Sequence, residues 1–197
     1  YPDPPAVVLS TGIPVKPVLL HHSVNGNPLA ALAGSLRLNY EYLSDGGYHG
    51  LLTEVESSRL EDEEGTTQES QGASLGYRYH FSGQQQSWFA GLTAGYFAGT
   101  GDATIEVSTT TNGVTEVTET VFPVDFTNFQ LTVNSGYRWL WDNGLNVTIR
   151  FGLGYGDYTF DTESDSPDAQ LAVELVEALL TLVPIAAEGE LSLGYTF

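Results

Sequence analysis

A two-residue alternation of apolar and polar side chains, sustained over long runs, constrains this chain more than any other feature. In 31–42, Leu32, Gly34, Leu36, Leu38, Tyr40 and Tyr42 alternate with Ala31, Ala33, Ser35, Arg37, Asn39 and Glu41. In 68–81, Ala73, Leu75, Tyr77, Tyr79 and Phe81 alternate with Gly72, Ser74, Gly76, Arg78 and His80. The pattern returns in 128–141 (Phe129, Leu131, Val133, Tyr137, Trp139, Trp141), in 145–156 (Leu145, Val147, Ile149, Phe151, Leu153, Tyr155) and at Leu191, Leu193, Tyr195 and Phe197. Weaker runs cover 48–57 and 88–100, the second with Trp88, Leu92 and Tyr96 on its apolar side. This period sorts side chains onto the two faces of an extended strand. Runs of roughly 10–14 residues exceed the about 5–6 of a typical globular strand, whereas about 9–11 tilted residues cross a hydrocarbon core.

The aromatic residues gather at one end of several runs. Tyr77, Tyr79 and Phe81 lead to Trp88; Tyr137, Trp139 and Trp141 stand together; Tyr195 and Phe197 finish the chain. A girdle at a membrane interface explains a shared level, for which a soluble sandwich has no reason. No uninterrupted apolar run is long enough for a helical span. The mean hydropathy of −0.09 suits a soluble protein or a transmembrane barrel, whose strands are only half apolar.

Charges on the polar faces add a second constraint. Arg37, Arg78, Arg138 and Arg150 fall there with Glu41, Glu54, Glu56, Glu188 and Glu190. They mark either a solvated sheet face or the packed interior of a closed barrel. The near absence of Lys favours the interior, because Arg forms the bidentate pairs that a narrow lumen needs. An eight-stranded lumen is just wide enough for side chains, so the charges read as a luminal ion-pair network. The expected class is therefore all-β: an antiparallel transmembrane β-barrel.

Connections alternate in length. Ser44-Asp45-Gly46-Gly47, 82–86 and Asp142-Asn143-Gly144 read as short turns; 60–67, about 101–118 and about 161–185 read as long polar loops carrying much of the acid. Outer-membrane barrels show this asymmetry, with the longer loops outside. Seven strands are clear: 31–43, 48–59, 68–81, 87–100, 119–141, 145–160 and 187–197. Even parity demands an eighth. Residues 7–23 are the candidate, with Asn25-Gly26 as a hairpin signal, although Pro14 and Pro17 fit a closed barrel poorly. The organisation is then an N-terminal segment, 1–30, and a barrel, 31–197; either that segment includes the first strand, or the N-terminus starts outside or threads the lumen.

One segment breaks the period. Ser166-Pro167-Asp168 is a helix start, and Leu171, Leu175, Ala178, Leu179 and Leu182 share a face opposed to Gln170, Glu174, Glu177 and Thr181. An amphipathic helix over about 167–182, in the last external loop, is expected. It packs on its own rim, lies on the membrane surface, or docks a partner through Leu171, Leu175, Leu179 and Leu182.

The chain of 197 residues carries 6 Lys plus Arg against 25 Asp plus Glu, a net charge of −19, with no Cys. Nucleic acid is a poor partner for such a surface, and thiolate chemistry and disulfides are excluded. The chain begins at Tyr1 without a basic, apolar leader, so a processed, exported chain is expected. His21-His22-Ser23 is the one place where a base and a nucleophile adjoin, but no acid partner is identifiable. His21 and His22 face apart in a strand, and the acidic runs 61–64 and 161–168 lack a calcium-loop pattern, so no metal or cofactor is expected. Gly152-x-Gly154-x-Gly156 has no strand–helix context for a nucleotide, and reads as small residues facing a crowded lumen.

The segments Leu75-Gly76-Tyr77-Arg78-Tyr79-His80-Phe81, Trp88-Phe89-Ala90-Gly91-Leu92 and Gly136-Tyr137-Arg138-Trp139 resemble strands of small outer-membrane β-barrels of the OmpA/OmpX type. The ending Glu190-Leu191-Ser192-Leu193-Gly194-Tyr195-Thr196-Phe197 is similar to the C-terminal strand signal of that group. The resemblance implies the outer membrane of a Gram-negative bacterium, with outer-membrane lipid as a partner. It leaves activity open, because the fold hosts adhesins, enzymes, pores and structural proteins. The expected role is non-enzymatic: a structural, adhesion or assembly scaffold acting through acidic external loops on a protein partner or a further copy. A narrow channel for small or cationic solutes is the alternative; a lipid hydrolase using His21 and Ser23, and a soluble lectin-like sandwich, are further classes.

Overall fold

In a computed structural model the chain forms a closed antiparallel barrel of eight strands joined in sequence order. The structure describes residues 19–61, 67–111, 114–162, 164 and 166–197. The elements are β1 (His22–Gly26), α1 (Pro28–Leu32), β2 (Ser35–Leu43), β3 (His49–Glu61), β4 (Thr67–His80), β5 (Ser87–Thr111), β6 (Val114–Leu140), β7 (Leu145–Asp161), α2 (Pro167–Leu182) and β8 (Ile185–Thr196). Closure is made by β1, which pairs with β2 on one side (Val24 with Tyr40) and with β8 on the other (Val24 with Tyr195).

The alternation sets which way each side chain points. Leu75, Phe151, Leu153 and Val133 are exposed on the outer face, while Arg78, Arg150, Asn134 and Thr132 on the same strands are buried inside. Among the described residues the large buried side chains are mainly polar and the exposed ones mainly apolar. This inverts the distribution of a water-soluble domain.

Three reversals are tight, and Gly47, Gly83 and Gly144 within them have φ of 74°, 65° and 87°. These left-handed values favour glycine. At Gly47 a Cβ would also meet the Gly83 backbone of the neighbouring turn, so the two turns pack against each other.

The structure revises the expected first strand. Of 7–23, residues 7–18 lie outside the described residues, and only His22 and Ser23 join β1. Asn25-Gly26 is not a hairpin turn; both residues are paired inside β1. The chain reverses one step later, through α1. Asn27 caps that helix by accepting from the Ala30 amide at 3.0 Å, and Pro28 occupies its first turn, where its missing N–H costs nothing. Residues 31–34, expected in a strand, complete the helical turn instead, ending at Gly34 with φ of 81°.

The expected loop 101–118 is largely strand. β5 and β6 stay in register up to Thr111 with Val114, well beyond the last β4 partner, where Glu69 meets Thr100. Its Thr and Val residues favour a pleated strand, but the polarity of the threonines disguised the alternation. The expected loop 60–67 shrinks as well, because β3 runs to Glu61 and β4 begins at Thr67; acidic residues 62–64 lie outside the described residues. The helix at 167–182 has the expected bounds, but its leucine stripe does not pack on the barrel. Ala169 is buried and Ala172, Val173 and Val176 face the barrel mouth, whereas Leu171, Leu175, Leu179 and Leu182 are exposed. The two faces are separated by roughly 120° at 3.6 residues per turn.

Candidate functional site: a plugged lumen

The luminal faces of six strands converge on a buried cluster of ions. Nearest the short turns, Glu41 of β2 is fully buried. Its Oε2 accepts from Arg78 Nη1 of β4 at 2.8 Å and from Arg138 Nη2 of β6 at 2.6 Å, while Oε1 lies 2.6 Å from His80 Nε2. Arg138 also donates to Thr148 Oγ1 of β7 at 2.9 Å and to Gln85 in the β4–β5 turn. The Arg78 guanidinium carbon lies 4.5 Å above the Phe89 ring, a cation–π contact inside the barrel.

The next level is centred on Glu190 of β8. Its Oε2 lies 2.9 Å from Arg150 Nε and 3.3 Å from Arg78 Nη2; its Oε1 accepts from Asn39 at 2.8 Å and Ser192 at 2.6 Å. Arg150 of β7 reaches across to Glu54 of β3, with Nη2 to Oε2 at 3.0 Å. Arg78 thus links the two levels. Three buried guanidinium groups, Arg78, Arg138 and Arg150, face three buried carboxylates, Glu41, Glu54 and Glu190. The charges balance, as the burial of ions demands. Further along, Arg37 and Glu56 form a half-buried pair, with Nε to Oε2 at 2.9 Å, and Arg37 donates to the Gly189 carbonyl. Glu188 is 3.9 Å from Arg150 Nε, a loose contact.

Room for these long side chains comes from glycine on adjacent strands. Arg78 is paired with Gly50 on one side and Gly91 on the other, and Arg150 with Gly136. A Cβ at Gly50 would come within 2.5 Å of Glu41 Oε1, and one at Gly152 within 2.5 Å of Glu188 Oε1. Gly152, Gly154 and Gly156 all occupy the luminal face of β7.

The outer face at the short-turn end carries the aromatic residues. Tyr77, Tyr79, Phe81, Trp88, Trp139, Trp141, Tyr195 and Phe197 are exposed, and Tyr137 packs edge-on between Trp88 and Trp139 at 5.2 and 4.7 Å. Sequence reading missed a further arc. His22, His49, Tyr40, Tyr42 and Tyr48 join this belt; His22 Nδ1 lies 2.7 Å from the Tyr40 hydroxyl, and His49 Nδ1 2.7 Å from that of Tyr77. The signal was present as Tyr40 and Tyr42 at the same strand end.

The adjoining base and nucleophile are separated by the strand itself. His22 is in the outer belt, His21 Nδ1 lies 2.8 Å from the Leu43 carbonyl, and Ser23 Oγ is buried inside among Asn25, Asn146 and Thr196. No described contact joins Ser23 to a histidine.

No family model matches this chain, and no curated protein matches it. Among solved structures, CarO2 of Acinetobacter baumannii aligns over 90% of this chain and 98% of its own, at 12% sequence identity and a TM-score of 0.45.

Proposed function

We propose that this protein is a non-enzymatic scaffold of a bacterial outer membrane, lipid-anchored by its outer face and presenting its long-loop end to a protein partner or another copy. The observation that carries this reading is the inverted polarity: an apolar wall with an aromatic belt encloses a lumen filled by neutralised ions. Such a wall is stable in hydrocarbon, where every backbone group must be satisfied internally, as a closed barrel achieves. The plug supports a scaffold over a conduit, because the pairs Glu41–Arg138, Arg78–Glu190 and Arg150–Glu54 bridge opposite walls. The exposed leucine stripe of α2 and the acidic connections supply the presenting surface.

A narrow channel for small or cationic solutes is the second reading. It is favoured by the carboxylate surplus in the cavity above the plug, where Glu54, Glu56 and Glu188 stand with Arg37.

Two measurements test these readings. The protein extracted from its native membrane in mild detergent is expected as a defined particle larger than the 21.3 kDa of one chain. A particle of one chain would overturn assembly. In planar bilayers the purified protein is expected to give no conductance above the lipid background. Sustained conductance that changes in Glu54→Ala or Arg150→Ala would establish the channel instead, and recovery without detergent would overturn the membrane placement.

A further inference from the structure

Two cavities lie end to end between the plug and α2. The outer one, about 540 Å³, is mainly apolar: Leu60 of β3, Phe122 and Phe126 of β6, and Phe160 of β7 face Val173 and Val176 of α2, with Gln68, Asp102 and Thr104 also in its lining. Phe122 is almost fully buried whereas its neighbour Val121 is exposed, so this is the luminal side of the wall. The inner one, about 280 Å³, shares Phe126 and turns polar, with Ser74, Asn128, Thr132, Glu54 and Glu188 in its lining. An apolar concavity of this size closed by a few convergent polar groups is the usual form of a small-molecule site.

The polar end lacks partners of one kind. Ser74, Asn128 and Thr132 are each more than nine-tenths buried. Ser74 Oγ, Asn128 Oδ1, Thr132 Oγ1 and Glu188 Oε1 make no hydrogen bond. Buried oxygens are rarely left so, and two of these four groups, the amide oxygen and the carboxylate, only accept. The charges agree. Glu56 has Arg37 and Glu54 has Arg150, but the cation nearest Glu188 is Arg150, whose Nε is already closer to Glu190. Glu188 is the carboxylate of this cavity without a cation of its own.

We propose that the outer lumen binds one amphiphilic amine, its hydrocarbon body under α2 among Phe122, Phe126 and Phe160, and its ammonium group against Glu188, Asn128 and Thr132. The ammonium supplies the donors that the orphaned oxygens lack and the positive charge that Glu188 lacks. A carboxylate head would meet like charge, and a hydroxyl head would leave Glu188 unpaired. Helix α2 forms one wall of the cavity through side chains that are not part of its exposed leucine stripe.

The test uses the full chain in lipid nanodiscs, with octylamine titrated calorimetrically and the signal from empty discs subtracted. Saturable binding of one octylamine per chain is expected, with octanoate and octanol at least about tenfold weaker, the scale of a lost charge-assisted hydrogen bond. Val173→Trp fills the outer cavity from the helix, leaving the strands untouched, and is expected to abolish binding. Glu188→Gln is expected to weaken octylamine about tenfold or more without changing octanol. Each variant is scored as a barrel that keeps native mobility on an unheated gel; Ala172→Phe replaces Val173→Trp if that variant does not fold. Non-saturating uptake equal to empty discs, native affinity in the cavity-filled variant, or octanoate binding as tightly as octylamine would overturn the assignment.

Discussion

Replacing Glu41 by Ala is expected to cost on the order of 5 kcal/mol, about a third or more of the stability of an ordinary domain. Glu41 is the shared acceptor of Arg78 and Arg138 and the partner of His80, all buried beside it. Without it, two guanidinium groups remain in the lumen with one fewer counter-charge. Removing one member of a buried pair costs about 3–5 kcal/mol because the other is left uncompensated. Urea unfolding in liposomes, followed by tryptophan fluorescence and by gel mobility without heating, measures this loss. The double variant Glu41→Ala with Arg138→Ala is expected to lose less than the sum of the two single variants, since it removes a balanced pair. A loss below about 1 kcal/mol in Glu41→Ala would instead indicate a lumen wet enough to solvate the arginines.

The second large effect concerns the opposite face of the same wall. Phe151 follows Arg150 on β7 and points outward, 67% exposed, paired with Ser135 and Gly189 in mid-strand. In water, Phe151→Arg would change stability by about 0.5 kcal/mol or less, as surface substitutions usually do. On a lipid-facing strand at the midplane it is expected to destabilise by about 2–4 kcal/mol, falling to about 0–1 kcal/mol for Leu145→Arg beside the short turn. The same liposome unfolding assay reads both variants. Equal, small effects at the two positions would contradict the hydrocarbon placement of this face.

Most of the barrel was legible because its signal is strictly local. A luminal Arg78 between Gly76 and His80, flanked by outward Tyr77 and Tyr79, fixes the face of every residue in β4 from period alone. The partners within the lumen were not legible. Nothing in the spacing says that Glu41 meets Arg138, 97 residues away, that Arg150 meets Glu54, or that Arg78 meets Glu190. Those contacts follow from barrel closure, which brings non-neighbouring strands across a narrow interior. Reading failed where polarity and local structure part company. Asn25-Gly26 carries turn chemistry yet is held extended by partners on both sides, a tertiary override of local preference. The tall β5–β6 ribbon was hidden for the opposite reason, since its threonines keep the strand but blur its period. The α2 leucines were recognised as one face, but the face that meets the barrel is the small-residue one, Ala169, Ala172, Val173 and Val176, which has no strong hydropathy signature.

The brevity of β1 has a kinetic meaning. Five residues zip a ring whose other strands run from 9 to 27, and its contacts with β8 join positions as far apart in the chain as Ser23 and Thr196. Contacts of such separation form only after much of the chain has been ordered, and here they return few backbone pairs in exchange. The β8–β1 seam is therefore expected to close last and open first. Native-state hydrogen exchange reads the order directly: the Val24 and Asn25 amides should exchange through a smaller opening than that of Val133 in β6, and equal protection at the two places would mean that the ring opens only as a whole.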